Sequence, residues 1–287
     1  MRKNKIIQGI LLIIIALNYG CETDANVIVP AAERKLVVGG FLSSEENEHQ
    51  ISLTQSDPLF SSDPPISLAN VQLTISSDSI NYSPTFDFIS GTFQFNNNQF
   101  KIENDKNYHI KIVTEEGKIV ESDMRTLSNQ MPLVTDLELT VDTIYTDWIY
   151  PEIQYSLKIT WNDLVGEQNY YRIIANRLLK DFDTNDTIIE PLSYYNEYVL
   201  KDDKGKDGQV FSANFNYKES GATNSPIGFE IILMKVDVNY YNYHKTLNNY
   251  SSGDPFAEPV ILFSNIQNGL GVFCNFQTEK RRVFLFF

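Results

Sequence analysis

The chain has 287 residues and an acidic composition, with 37 Asp and Glu against 23 Lys and Arg. Its net charge of −14 repels phosphate backbones, which disfavours nucleic-acid binding. A hydrophobic content of 42%, including 18 Phe and 16 Tyr, is ample for β-sheet cores and argues against general disorder.

The N-terminus has the residue order of a secretory signal. Basic residues at positions 2, 3 and 5 precede an apolar stretch over 6–17, and Gly20 then stands directly before Cys21. A cysteine in that place is the lipid acceptor of bacterial lipoproteins. We therefore predict that residues 1–20 are a signal peptide and that Cys21 is lipidated. An uncleaved transmembrane anchor is the alternative, although the apolar run is short for a bilayer span.

Residues 21–34 are polar and small, and we predict that they form a tether between the lipid and the folded body. Removal of the signal, which holds three basic residues and no acid, changes the net charge from −14 to −17. Such a body is repelled by anionic head groups. Membrane attachment is therefore expected to come from the lipid, through its buried methylene groups.

From residue 35 the apolar residues alternate with polar ones or form short apolar runs, which predicts strands and not helices. A succession of short strands with no helical period predicts an N-terminal β-sandwich over 35–127, of immunoglobulin-like or transthyretin-like type. The predicted strands are 36–42, 50–54, 71–75, 91–95, 108–113 and 118–122.

The strand pattern pauses at 127–132, which predicts a domain boundary. Residues 133–287 are predicted to form a larger β-sandwich domain with one helix at 239–249, so that the whole body is all-β. The polar stretch 180–206 is expected to make loops and one edge strand. The further predicted strands are 137–144, 153–161, 170–178, 210–217, 228–238, 260–263, 271–276 and 282–287.

Most chemical motifs are missing, and we predict no catalytic residue, metal or cofactor, and no enzyme activity. The acidic loop 181–186 could supply oxygen ligands to calcium, but it departs from the EF-hand pattern. A solvated turn is the favoured interpretation of this loop. The stretch 202–208 is interpreted as a charged hairpin tip. Cys274 lies in an apolar strand, where a buried, inert thiol is expected.

A cluster of tyrosines is the candidate binding site. Tyr194, Tyr195 and Tyr198 lie in the polar stretch, where exposed rings could contact a sugar or a protein partner. Packing within the body is the alternative for each ring. If the rings bind, the acids Asp202, Asp203 and Asp207 are expected to form a polar rim around them.

Several short phrases follow one another in a recognisable order along the chain, at 17–21, 35–40, 69–75, 91–93, 106–108, 169–172, 240–244, 255–259 and 264–273. In these phrases the chain resembles a Bacteroidota lipoprotein family that is catalogued as a domain of unknown function. The genes of this family often lie beside those of TonB-dependent outer-membrane receptors.

The resemblance implies a location and a partner. We expect a lipoprotein anchored to the outer membrane, facing the cell surface, that assists a TonB-dependent transporter by binding a ligand or the receptor. A structural or adhesive surface lipoprotein is the alternative. The family supplies no catalytic residues that could be carried over to this chain.

Overall fold

The computed structural model describes residues 33–56, 67–145, 151–181, 183–192, 198–220, 225–250 and 261–285. Strands dominate these ranges, and the predicted all-β fold with one helix is confirmed. The elements are β1 (Leu36–Leu42), β2 (Glu48–Gln55), β3 (Val71–Ser77), β4 (Ile80–Tyr82), β5 (Thr85–Asp87), β6 (Thr92–Asn96), β7 (Asn107–Thr114), β8 (Ile119–Arg125), β9 (Leu133–Ile144), β10 (Glu152–Asn162), β11 (Tyr170–Lys180), β12 (Thr187–Pro191), β13 (Val199–Asp202), β14 (Val210–Ser220), β15 (Gly228–Val236), α1 (Val238–Asn248) and β16 (Leu270–Phe284).

A long sheet links the first and last parts of the chain. Its order is β12-β11-β15-β16-β1-β2-β6-β5, and β13 also pairs with β11. The strands β1 and β16 run parallel, with Val37 opposite Leu270 and Leu42 opposite Asn275. Two smaller sheets, β4-β3-β7-β8 and β14-β10-β9, complete the architecture.

Two hydrophobic cores form where the smaller sheets pack on the long sheet. The first core is built from β1, β2, β3, β6, β7 and β8, with Phe273 of β16 as a further member, and we call this part of the structure the first sandwich. We call the second sandwich the one whose core is built from β10, β11, β14 and β15, around Trp161, Tyr171 and Phe229. The strand β16 also places Val283 against this second core, so it belongs to both sandwiches.

The helix α1 covers a third apolar cluster. Val272 and Cys274 of β16 pack against Tyr240 and Tyr241, and they alternate with Phe273, which faces the first core. Asp237 caps the helix, because its carboxylate accepts a hydrogen bond of 2.7 Å from the backbone N–H of Tyr240. Over the described residues, no helix combines the length and the apolar character that crossing a bilayer requires.

Several predicted elements differ in detail. The predicted strand 271–276 and residues 282–284 of the predicted strand 282–287 are parts of the single strand β16, since the polar residues between them still pair with β15, for example Gln277 with Lys235. The predicted strand 260–263 is wrong for its described residues 261–263. Instead of joining a sheet, the backbone N–H of Phe263 donates to Thr246 Oγ1 of α1 at 2.9 Å.

The polar stretch 180–206 contains two short strands where one was expected. Both β12 and β13 pair with β11, one after the other along the same edge. The short strands β4 and β5, which lack a clear alternating pattern, were also not predicted.

The predicted domain boundary at 127–133 falls between the two cores in the chain. The described residues from Arg34 onward nevertheless belong to one compact unit, in which β16 pairs with both β1 and β15. The division into separate domains at 35–127 and 133–287 stays a prediction.

Candidate functional site

The structure describes one of the three candidate tyrosines. Tyr198 stands directly before β13 and is half-buried. Tyr194 and Tyr195 lie outside the described residues, as does the predicted lipidation site Cys21. The site is therefore built from Tyr198 outward.

Tyr198 is held against the helix α1. Its hydroxyl donates to the backbone carbonyl of His244 at 3.1 Å and lies 3.3 Å from Nδ1 of the same histidine. The Cζ atom of Arg172, on β11, lies 4.1 Å from the centre of the Tyr198 ring. The ring was expected to be exposed, but it contributes instead to a packed contact between β11, β13 and α1.

Arg172 is the centre of this contact. Its Nη1 donates to the Tyr240 hydroxyl and lies 3.3 Å from Nε2 of His244. Its Nε is buried and has no hydrogen-bond partner, and no ion pair joins Arg172 to a described carboxylate. We call Arg172, Tyr198, Tyr240 and His244 the Arg172 cluster. Stacking of a guanidinium on tyrosine stabilises such a contact by about 0.5–2 kcal/mol.

His244 is neutral in this environment. Burial disfavours its charged form, and the positive charge of Arg172 acts in the same direction, so that the pKa of His244 is lowered to about 3. The neutral ring then accepts from Arg172 at Nε2 and carries its proton on Nδ1, facing the Tyr198 oxygen. Burial also raises the pKa of Tyr240 to about 12. Both ring nitrogens of His244 are therefore engaged in contacts within the cluster.

A cavity adjoins Tyr198 at the edge of the second sandwich. Its volume is about 330 Å³, near the lower end of the range for small-molecule sites. We call it the Tyr198 cavity. It combines aromatic and aliphatic surface with amide groups, and its lining residues are Leu192, Tyr198, Val199, Asn214, Phe215 and Asn216.

The amides come from the outer face of β14, a surface that no sequence motif marks as a site. Asn214 and Asn216 are exposed, whereas Ala213 and Phe215, which alternate with them, are buried in the second core. This alternation over 210–217 was recognised as a strand pattern. The pattern does not show that this strand lies beside Tyr198, because the loop 203–209 carries the chain from β13 in the long sheet to β14 in a different sheet.

One of the two acidic stretches agrees with the expectation and the other does not. In the loop 181–186, Asp181 accepts backbone hydrogen bonds from Asp183 and Thr184, which lowers the pKa of Asp181 and agrees with a solvated turn. Of the acids in 202–208, Asp207 is exposed but Asp202 and Asp203 are not, so the three do not form the expected rim. Asp203 is 3% exposed, and Asp202 accepts a hydrogen bond of 2.7 Å from the Tyr241 hydroxyl.

Cys274 is buried as predicted, with 0% exposure, and burial raises the pKa of its thiol. A buried thiol with a raised pKa holds little of the reactive thiolate at neutral pH. The side chain therefore acts as a small apolar residue beneath α1.

Comparison with known proteins adds a family but no activity. The family model described as "Domain of unknown function (DUF4249)" matches residues 22–282. No curated protein matches the chain. Among solved structures, a protein titled "Biofilm associated protein - B domain" aligns over 86% of each chain with 10% sequence identity and a TM-score of 0.17. A likeness this distant carries no argument about function.

Proposed function

The chain belongs to the DUF4249 family, and from this premise we propose that it is a non-enzymatic lipoprotein of the outer membrane that assists a TonB-dependent transporter. It is lipidated at Cys21 and faces the cell surface. Its role is to bind a ligand of the transporter or the receptor itself. The signal-like N-terminus and the resemblance of the mature sequence to Bacteroidota lipoproteins support this proposal.

The observation that carries the binding role is the Tyr198 cavity. Aromatic and aliphatic walls provide area for apolar contact, while exposed amides offer both donors and acceptors. This combination suits a peptide segment of a receptor or a small polar ligand. The wall formed by Tyr198 is rigid, because the hydroxyl is hydrogen-bonded to His244 and the ring packs against Arg172. A preorganised wall reduces the entropy that is lost on binding.

The same contacts favour binding over acid–base catalysis at this place. His244 is in contact with Tyr198, yet its two ring nitrogens are engaged by Arg172 and Tyr198. A pKa of about 3 is also far below the range in which a general base works at neutral pH.

A cavity-blocking substitution tests the proposal. Asn214→Trp would fill the Tyr198 cavity from the exposed face of β14 without touching the buried core. The lipoprotein and its partners would be recovered from detergent-solubilised outer membranes. We expect transporter recovery to fall at least tenfold, since a lost contact of about 2 kcal/mol corresponds to roughly thirtyfold in affinity.

Ser212→Trp is the matched control. Ser212 lies on the same strand and the same exposed face but does not line the cavity. The control should recover the transporter as well as the unmodified protein does. Full recovery with Asn214→Trp would place the contact elsewhere. If neither the unmodified protein nor the control recovers a transporter, a structural or adhesive role replaces the proposal.

A further inference from the structure

Two loops meet at one end of the second sandwich. Residues 163–169 connect β10 to β11, and residues 203–209 connect β13 to β14. Aspartates hold the loops together through backbone hydrogen bonds. Gly208 N donates to Asp163 at 2.8 Å, Asn169 N to Asp203 at 2.9 Å, and Gly166 N to Asp207 at 2.9 Å.

These contacts bring three carboxylates together. One oxygen each from Asp163, Asp203 and Asp207 lies within 4.8 Å of the others. Asp163 is 6% exposed and Asp203 is 3% exposed, while Asp207 faces solvent. No described Lys or Arg forms an ion pair with any of the three. Burial, with a contribution from Asp163, raises the pKa of Asp203, which reflects the cost of keeping these charges together.

A buried amide oxygen provides an independent indication. Asn169 is 2% exposed, and its Oδ1 has no hydrogen-bond partner. The amide nitrogen donates to the carbonyls of Leu164 and Glu167 at 3.0 Å each and lies 3.5 Å from Oδ2 of Asp203, so the unpartnered oxygen belongs to an amide that contacts the cluster. An unpartnered oxygen is unfavourable in a protein interior and needs a donor or a cation. The backbone hydrogen bonds of the loops explain why the aspartates lie together, but they do not explain why this oxygen is buried without a partner.

From these observations we propose that Asp163, Asp203, Asp207 and Asn169 form a binding site for calcium. All four supply oxygen, which is the ligand type of hard divalent cations. Two oxygens on one calcium ion can be separated by at most roughly 5 Å, twice the metal–oxygen distance, and the carboxylates satisfy this limit. Magnesium, with its shorter bonds and stricter octahedral geometry, would draw the oxygens to within roughly 4 Å.

Water can complete the coordination. Calcium takes six to eight oxygen ligands, more than the four side chains offer as single ligands. A cavity of about 490 Å³ opens beside the cluster, with Glu167, Gln168, Asp203 and Asp207 in its lining. Water molecules in this cavity have direct access to the ion.

The ion would also support the Tyr198 cavity. The strand β13 is only four residues long, Val199–Asp202, and it lies between Tyr198 and Asp203. A cation bound at Asp203 fixes one end of this strand, while the contact between Tyr198 and His244 fixes the other. Calcium is thus expected to order the strand that carries the cavity wall. This consequence rests on the proposed function, whereas the binding site itself does not.

Terbium luminescence tests the site directly. Terbium(III) takes the same oxygen ligands as calcium, and the hydroxyl of Tyr171 lies 2.5 Å from Asp163, close enough for the excited ring to sensitise a bound ion. We expect the mature, EDTA-treated protein in detergent to show saturable, tyrosine-sensitised emission. Calcium should displace the terbium, and magnesium should do so only at a concentration at least tenfold higher.

Charge-neutral variants define the ligands. Asp207→Asn alters an exposed side chain and keeps an oxygen that can accept from Gly166, so the fold should persist. We expect it to weaken calcium binding at least tenfold, and Asp203→Asn to weaken it further. Asp181→Asn, in the separate acidic loop, is the control and should bind as the unmodified protein does.

Thermal unfolding gives a second readout. The unmodified protein should melt at a higher temperature in calcium than in EDTA, and the Asp207→Asn variant should show a smaller difference. Saturable binding that the Asp207 and Asp203 variants retain would place the ion elsewhere and overturn the assignment. A folded protein with neither saturable emission nor a calcium-dependent melting temperature would exclude the site. Because these measurements use no transporter, their failure is distinguishable from failure of the proposed function.

Discussion

The two sandwiches use aspartate in their loops with opposite electrostatic results. In the first sandwich, Asp87 at the end of β5 is only half-buried and accepts backbone hydrogen bonds from Ile89 and Ser90, which lower its pKa. In the second, Asp163 and Asp203 accept similar bonds, but both are buried beside each other, and burial raises the pKa of Asp203. Backbone hydrogen bonds are sufficient for a carboxylate near the surface. In the interior the same hydrogen bonds leave the negative charge of the carboxylates uncompensated.

The aromatic residues show a parallel difference. Phe93, Phe95 and Phe100 in the first sandwich contribute apolar area alone. In and around the second sandwich, buried tyrosines each bring a hydroxyl that contacts a charged group, as Tyr171 does with Asp163 and Tyr241 with Asp202. The first sandwich therefore resembles a scaffold, while the polar interior of the second is where binding sites can form.

The largest expected effect concerns the anchor that precedes the first sandwich in the chain. Cys21→Ala should abolish acylation, because the thiol that accepts the lipid is missing, and the signal peptide should remain attached. Labelling with a clickable fatty acid, together with the electrophoretic size of the protein, measures both outcomes. Undiminished label in the variant would contradict the assignment of Cys21. Cys274→Ala is the matched control and should leave the label unchanged.

A core substitution tests whether the sandwiches are energetically separate. Phe273 is fully buried in the first core but belongs to β16, which also pairs with β15 beside the second core. Phe273→Ala should lower the free energy of unfolding by about 3–5 kcal/mol. Because the long sheet is continuous, we expect the variant to shift the urea transition reported by tryptophan fluorescence, to which Trp161 in the second core contributes.

Phe284→Ala, at the far end of β16, is the control for this experiment. Its side chain is 48% exposed, so the free energy of unfolding should change far less. A Phe273 variant that leaves the tryptophan transition in place would mean that the sandwiches unfold independently. That result would favour the division into two domains at 127–133.

The smallest expected effect is a pH dependence located in the Arg172 cluster. The pKa of His244 is about 3 in the folded chain, against its ordinary value of 6.5, so the unfolded state binds the extra proton first as pH falls. The stabilising contribution is therefore complete above pH 6.5 and is lost progressively as pH falls towards 3. Between pH 6.5 and about pH 5 the loss is about 2 kcal/mol, because each pH unit below the unfolded pKa costs about 1.4 kcal/mol.

His244→Gln measures this contribution by difference. Glutamine keeps polar atoms near Arg172 and Tyr198 but does not titrate. Urea unfolding of both proteins across the acidic range should show a shallower loss of stability in the variant. Equal slopes in the two proteins would mean that His244 is not buried in its neutral form, and the description of the Arg172 cluster would have to be revised.

Most strands could be predicted from local pattern. The alternation in β2, β3, β7 and β10 arises because neighbouring side chains of a strand face opposite sides, so that burial on one face is visible in the sequence. The helix α1 was also located within two residues, from the spacing of its tyrosines and the residues that end it. The predicted strand was wrong at 261–263 because an apolar run forms a strand only where a neighbouring strand is available to pair with it.

The candidate site was less predictable. Tyr198 was identified by composition, but Arg172, which covers its ring, lies 26 positions earlier and was noted only as part of a family phrase. Likewise, 181–186 was the stronger metal candidate because its acids are close in sequence. The carboxylates that converge are Asp163, Asp203 and Asp207, which two separate loops bring together.

The sequence by itself determined the all-β class, the position of the helix, the signal-like N-terminus and the family, because each depends on residues that are neighbours in the chain or on the order of short phrases along it. Only the tertiary structure decided that β1 pairs with β16, that Tyr198 packs on α1 and that three aspartates share one site. These features join residues from distant parts of the chain. Such contacts follow from how sheets pair and loops close, and no local pattern of residues specifies them.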